Sequence, residues 1–381
     1  MDTKTVQSTL QSPISQQLYL AFELSKKQWK FCFTVGMGQR PRIRTIQARN
    51  PQALQWEVQE ARHRFRLPDT VTTLSCYEAG RDGFWLHRYL HAQGIANLVV
   101  DSASIEVSRR SKRAKTDMLD VDKLLEMLIR YHSSERKLWR VVHVPSLEVE
   151  DRRHLHRELA TLKAERTRHI NRIKGLLVGQ GVCMPVIENL LEKLETVRLW
   201  DGSGLPGELH TRLEREYQRI QLVNQQIQQL EVQQAEQLRT SVHPSVVQVR
   251  QLLRLKGIGV NSAWLFVMEF FGWRDFHNRR EVGALAGLTA TPYRSGGASR
   301  EQGISKAGNR HIRAMIVEIA WIWLRYQPNS QLSRWYQQRF GQGSNRLRRI
   351  GIVALARRLL IDLWRYLETG TVPEGAVLKS S

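Results

Sequence analysis

Acidic residues are scarce in this chain: 36 Asp and Glu stand against 58 Lys and Arg, a formal charge of +22 and an isoelectric point near 10.4. A surplus of that size points to a polyanionic partner, because cations bound to nucleic acid gain affinity from released counterions. Cysteine is scarcer still. Cys32, Cys76 and Cys183 are odd in number and lack metal-ligand spacing, which excludes a disulfide framework and a zinc site. No apolar run reaches the roughly 18 residues needed to span a bilayer. The start, Met1 to Gln17, is polar, without the basic-then-apolar order of a signal peptide, so a cytoplasmic protein is expected. Internal repeats at solenoid periods are also missing.

What remains is a chain of 381 residues, 41% hydrophobic, long enough for two or three domains. From Leu18 to about Val144, short β-type runs alternate with helical stretches. Leu18–Glu23 and Trp29–Val35 read as adjacent strands, Thr70–Tyr77 and Ala96–Val100 as buried ones, with a helix over Phe84–Gln93 between them. This predicts an α/β domain over 18–145 with a partly parallel sheet, preceded by a flexible segment, 1–17.

Pro145 marks a boundary beyond which strands are expected to cease. Leu155, Leu159 and Leu162, then Ile170, Ile173 and Leu177, fall at helical spacing; after an interruption rich in Gly and Pro, Leu213, Ile220, Val223, Ile227 and Leu230 continue it through a Gln-rich stretch. That predicts a coiled coil over 146–243, either an antiparallel hairpin or an oligomerisation arm. Residues 244–368 read as an all-α basic domain punctuated by glycine, and 369–381 as a frayed tail.

The chemistry is expected at four acids. Glu23 and Glu78 end predicted strands, and a helix beginning near Thr116 carries Asp117 and Asp120 on one face, with Asp122 rotated away. Strand ends on one edge of an α/β sheet lie close in space. Four converging carboxylates repel one another unless a divalent cation stands between them, and oxygen-only ligation favours Mg²⁺ or Mn²⁺. Each acid alone reads more readily as a solvated surface charge or, for Asp117, as a helix N-terminal charge, and it is their order on strand, strand and helix that favours a ligand set. Arg109, Arg110, Lys112, Arg113 and Lys115 precede the helix as a basic run suited to tracking phosphates, or simply as a solvated loop.

In the third region, Leu255-Lys256-Gly257-Ile258-Gly259-Val260 sits between two apolar helical stretches and resembles a helix-hairpin-helix, whose backbone N–H groups can meet a phosphate. A plain tight turn is the alternative. Further on, Tyr293-Arg294-Ser295-Gly296-Gly297 offers a serine hydroxyl, with Ser299 and Ser305 as rivals, and Arg294, Arg300, Lys306 and Arg310 supply positive field for a phosphorane. His87 and His91 stand at i, i+4 without the Glu of a zinc-hydrolase motif, and Trp264, Trp321, Trp323, Trp335 and Trp364 read as core aromatics.

Taken in order, these motifs resemble those of the DEDD-type insertion-sequence transposases, the bridge-RNA-guided recombinases, over roughly Leu18 to Leu367. Lys115-Thr116-Asp117 to Asp120 and Ala286 to Lys306 are the most specific parts. The resemblance implies a RuvC-like, ribonuclease-H fold for the first domain, a coiled-coil insertion and a helical transposase domain. It implies an acidic tetrad at Glu23, Glu78, Asp117 and Asp120, with Glu23 where the pattern usually begins with Asp, and a nucleophile at Ser295. It further implies a homo-oligomer, up to a tetramer, whose sites combine the acids of one protomer with the serine of another. Partners would be donor and target double-stranded DNA, met at the nucleoid, and a structured guide RNA. A metal-dependent nuclease or junction resolvase without a serine intermediate, and a non-enzymatic nucleic-acid scaffold, are the competing readings.

Overall fold

The computed structural model describes residues 17–105, 117–186, 188–295 and 298–379. It divides into two compact units, Met1–Val144 and Pro145–Ser381.

The first unit is a mixed sheet covered by helices. Its elements are β1 (Leu18–Leu24), β2 (Gln28–Thr34), β3 (Arg42–Gln47), α1 (Pro51–Arg64), β4 (Thr73–Glu78), α2 (Trp85–Ala92), β5 (Ile95–Val100) and α3 (Asp117–His132). Strand order is β3-β2-β1-β4-β5, with β1 antiparallel to β2 and parallel to β4, which is parallel to β5. Alternation sends Leu18, Leu20 and Phe22 to one face, where they pack with side chains of α1 and α2. Tyr19 and Ala21 go to the other, where Cys32, Cys76 and the apolar stripe of α3, from Val121 to Ile129, enclose a second core. The central strands are thus buried on both sides, which is why they read as near-continuous apolar runs. Two elements escaped the sequence reading. β3 carries cations at Arg42 and Arg44, and α1 interleaves its buried Leu54, Val58 and Ala61 with polar residues; Arg42 and Glu57 tie the two together at 2.6 Å, both buried.

The second unit opens with a short α4 (Leu147–Asp151), followed by α5 (Arg153–Val178), α6 (Leu190–Thr196) and α7 (Gly207–Thr240). Leu159 and Leu162 pack with Val223 and Ile227, while Ile173 and Leu177 pack with Leu213, Tyr217 and Ile220. Low numbers meet high ones, so α5 and α7 form an antiparallel hairpin, fastened by Lys163–Glu231 at 2.7 Å and Arg172–Glu216 at 2.9 Å. The rest comprises α8 (Pro244–Leu253), α9 (Val260–Phe266), α10 (Arg279–Leu285), β6 (Ala290–Ser295), β7 (Ala298–Ile304), α11 (Arg310–Tyr326), α12 (Gln331–Tyr336) and α13 (Asn345–Thr369). Trp264, Phe266, Phe270 and Trp323 anchor its core.

Three expectations are corrected here. The region beyond Pro145 is not all-α, because β6 and β7 pair as an antiparallel ribbon. Pro292 and the glycines at 296, 297 and 303 hid that alternation. The tail is not frayed up to Lys379: Leu378 bridges to Leu255, and the Lys379 N–H donates to the Arg254 carbonyl at 2.6 Å. Trp321 is about half exposed rather than a core aromatic, whereas Trp264 and Trp323 are buried.

Candidate active site

Strand register decides where the first two acids lie. β1 and β4 run parallel with Leu18 beside Thr73 and Phe22 beside Tyr77, so Glu23 and Glu78 follow as the next step on adjacent strands. Both alternate onto the face that carries Ala21 and Cys76, the face covered by α3. Glu23 is partly buried and Glu78 exposed.

The course of α3 follows from three contacts. Tyr19, at the start of β1, hydrogen-bonds His132 at 3.2 Å; in mid-sheet, the Cys32 thiol donates to Asp122 Oδ1 at 3.4 Å and the Cys76 thiol to the Leu124 carbonyl at 3.7 Å. The helix therefore runs antiparallel to β1. From Asp122 back to Asp117 it rises about 7.5 Å, and from Ala21 on to Glu23 the strand advances about 6.6 Å. The first turn of α3, with Asp117 and Asp120, thus comes level with the strand edge that carries Glu23 and Glu78. Asp117 and Asp120 are placed here by their backbone. Asp122 is engaged with Cys32, in keeping with its expected rotation away from the other two. Burial, reinforced by the Asp122 carboxylate, raises the Cys32 thiol; burial alone raises Cys76, so both remain protonated packing residues.

An open cavity of about 240 Å³ lies at this edge, lined by Glu23, Tyr77, Glu78, Gly80, Arg81 and Asp82. Asp82 has a buried carboxylate held by Arg49 at 2.6 Å and Arg81 at 3.4 Å, so its charge is already compensated by guanidinium groups. Neither it nor Asp101, which directly follows β5 at the same edge, was singled out from sequence; both lie in loops, where single acids carry no periodic signal. Glu23 and Glu78 offer hard oxygen donors of the type Mg²⁺ or Mn²⁺ takes. Among the described residues, no group of three or more His, Cys, Asp or Glu is arranged around a common metal position. The basic run Arg109, Arg110, Lys112, Arg113 and Lys115 lies outside the described residues.

In the second unit Ser295 is the last residue of β6 and pairs with Ala298, placing it at the turn end of the ribbon. Ser299 pairs with Arg294 one step further in, and Ser305 lies at the base, its N–H donating to the Thr289 carbonyl at 2.8 Å. Of the three serines, Ser295 projects furthest from the helical body along the ribbon. The base is clamped between α10 and α11: the Lys306 N–H reaches Gly287 at 3.1 Å, the Asn309 N–H reaches Leu285 at 2.9 Å, and the Asn309 side chain caps α11. Gly287 and Gly308 have φ of +69° and +110°, and a Cβ at Gly308 would lie 2.2 Å from the Leu285 carbonyl. Only glycine fits there. Lys306 and Arg310 are exposed beside this base, and Arg294 and Arg300 lie on β6 and β7.

The Gly-x-Gly loop departs from its expected role. The Lys256 N–H donates to Val377, the Ile258 N–H to Leu255 and the Gly259 N–H to Ser262 Oγ at 3.1 Å, so three donors expected to face a phosphate are already used. Buried Gln327 fastens the arrangement, donating to the carbonyls of Lys256 and Val377. Gly257, at φ +90°, makes the turn, and the Lys256 side chain remains exposed. His87 and His91 are also structural: His87 bonds Asn97 at 2.9 Å, and burial lowers its pKa.

The family model described as "Transposase IS116/IS110/IS902 family" matches residues 249–337. The chain is 40% identical over 376 residues, 95% of each sequence, to a Sinorhizobium fredii protein named "Putative transposase y4rJ". It is 27% identical to the transposase for insertion sequence element IS1328 of Yersinia enterocolitica, over 68% of this chain and 74% of that one. To the transposase for insertion sequence element IS1111A of Coxiella burnetii it is 25% identical, over 67% of each.

Proposed function

The chain belongs to the IS116/IS110/IS902 family of insertion-sequence transposases, and from that premise we propose that it cuts and rejoins DNA through a phosphoserine formed on Ser295, assisted by a divalent cation at the acidic edge of the sheet. The observation that carries this reading is the register that sets Glu23 beside Glu78, with the first turn of α3 brought to the same edge. The β3-β2-β1-β4-β5 order also supports the ribonuclease-H-like reading of this unit.

In the proposed reaction the Ser295 hydroxyl attacks the scissile phosphorus. Its oxygen forms the new ester bond and its proton passes to solvent, the deoxyribose oxygen of the cut strand leaves and takes up a proton, and a strand hydroxyl later attacks the phosphoserine, losing its own proton while the departing serine oxygen regains one. Atoms balance without any external oxidant or energy source. Glu23, Glu78, Asp117 and Asp120 would hold Mg²⁺ or Mn²⁺, which supplies charge neutralisation at the phosphate and acidifies the attacking hydroxyl. Arg294, Arg300, Lys306 and Arg310 favour the pentacovalent oxyanions electrostatically. Lys256 and the Arg109–Lys115 run are assigned to the nucleic-acid backbone. A structured guide RNA, and a dimer-to-tetramer that pairs the acids of one protomer with the serine of another, complete the proposal; the +22 charge supports its nucleic-acid part. No helix of the described residues is long and apolar enough to cross a membrane.

Ser295→Ala is the test. Strand exchange is expected to vanish with DNA binding retained, and no covalent adduct to form. Recombination by the variant would overturn the serine mechanism, and metal-dependent cleavage without an adduct in the wild type would assign the protein to the water-activating nucleases.

A further inference from the structure

One cationic feature is absorbed neither by the ribbon nor by the acidic edge. From Ile319 to Ile361 the chain has no Asp, Glu or Lys; every cation is arginine. Its arginines at 346, 348 and 349 lie beyond residue 337, where the family-model match ends. Within it, α12 continues through a π-turn, Gln337–Gly341, and the chain then reverses across Gln342, Gly343 and Ser344 into α13. Ser344 caps α13 by accepting the Leu347 N–H.

The pair of helices is locked. Phe340 packs its ring against Gly351, where a Cβ would lie 2.4 Å from the ring, and Tyr336 donates its hydroxyl to the Arg348 carbonyl at 3.4 Å. Arg358 stacks 3.9 Å over Trp335. Against this rigid base, every residue from Asn345 to Ile350 is exposed, so the first turns of α13 stand out on all sides. Among the described residues none of Arg346, Arg348 and Arg349 has an ion-pair partner, and Leu347 and Ile350 present 39% and 49% of their surface. A solvated helix end with no use would carry mixed charges and bury its apolar residues.

We propose that α12, the Gly343 turn and α13 act as a helix-turn-helix whose second helix seats Arg346, Arg348 and Arg349 in the major groove of double-stranded DNA. Two short-linked helices with a glycine in the turn, the second exposed at its N-terminal end, are features of that motif. Planar guanidinium groups meet phosphate oxygens or guanine edges with a rigid fork of parallel N–H donors that the lysine ammonium lacks, and Leu347 and Ile350 suit thymine methyl groups. The proposal rests on the transposase reading for its partner but not on the serine mechanism.

The full-length protein is titrated with a short mixed-sequence duplex, and with the same duplex bearing glucosylated 5-hydroxymethylcytosine, which fills the major groove. Wild type is expected to prefer the unmodified duplex. Arg346→Ala/Arg348→Ala/Arg349→Ala is expected to lose on the order of tenfold in affinity, to flatten the log–log salt slope by about 3, and to lose the preference. A control with the same charge change, Arg168→Ala/Arg239→Ala/Arg365→Ala, removes arginines paired with acids on their own helices and should bind within about twofold of wild type. The triple Lys variant is expected to keep most of the salt slope and lose the preference. Equal binding of both duplexes by wild type, or an unchanged triple Ala variant, overturns the proposal. So does loss confined to structured RNA, which would assign the surface to that polymer. Failure of wild type to bind either duplex would instead sink the transposase partner assignment.

Discussion

The two units hold the residues of the proposed chemistry in opposite ways. Glu23 and Glu78 lie on central strands buried on both faces, so their separation is set by hydrogen-bond register, while Ser295 lies at the end of a two-stranded ribbon without flanking strands. A cluster of metal-binding oxygens needs fixed spacing, because each misplaced carboxylate adds repulsion without coordination. A nucleophile that must meet a phosphate needs reach, and an isolated ribbon supplies it at some loss of stability, since two strands alone are marginal. The clamp at Gly287 and Gly308 offsets that loss by fixing the base and leaving the far end projecting.

Removing a carboxylate breaks the fixed side of this contrast most severely. Glu78→Gln is expected to lower strand cleavage on the order of a thousandfold while leaving thermal unfolding within a degree or two, since Glu78 is exposed and supports no core. A timed cleavage assay and a melting curve decide it; a large drop in melting temperature would mean that the acid is structural.

On the helical side the largest stability effect is expected at Glu269. It accepts from Arg157 Nε at 2.6 Å and meets His156 at 3.0 Å, both residues of α5. Burial opposes ionisation, yet the hydrogen bonds from His156 and Arg157 hold its carboxyl well below the usual range. A depressed folded pKa stabilises above the unfolded value and is lost as pH falls through the folded one. Acid denaturation should therefore draw on this cluster below about pH 4.5. Glu269→Gln is expected to cost about 3 kcal/mol at neutral pH and to weaken the acid dependence in denaturant titrations. An unchanged acid limb would remove Glu269 from the account.

Gly308→Ala should cost about 2 kcal/mol or more, because the new methyl meets backbone and the φ of +110° is unsuited to alanine. If the ribbon base positions Ser295, strand exchange falls further than the stability loss explains; equal falls would make the clamp merely structural. The smallest change is expected from Glu23→Asp. Its shorter carboxylate should alter the half-saturating Mg²⁺ concentration by less than about tenfold, where Glu23→Gln raises it more.

Much of the sheet side was legible, because buried strands such as Leu18–Leu24 and Ile95–Val100 are near-continuous apolar runs, and Glu23 and Glu78 stand out at the ends of such runs. The seam from Leu213 to Ile227 was legible through its spacing, and its antiparallel pairing was one of two outcomes left open. The ribbon was not, since Ala290–Ile304 has turn residues rather than alternation. Nor was the tail clamp: Val377–Lys379 is too short for any period and acquires meaning only beside Leu255 and Gln327. The same holds for Asp82, whose buried pairing with Arg49 depends on the fold joining residues far apart in sequence.

Whether the acids and the serine serve one phosphate is tested most directly by isolating the DNA-linked peptide from wild type, Glu23→Gln and Glu78→Gln proteins and measuring adduct at Ser295 by mass spectrometry. The expected result is an adduct on Ser295 in wild type with Mg²⁺, lost in both acid variants together with cleavage. Wild-type adduct levels in the acid variants, or an adduct carried by Ser299 or Ser305, would contradict the account.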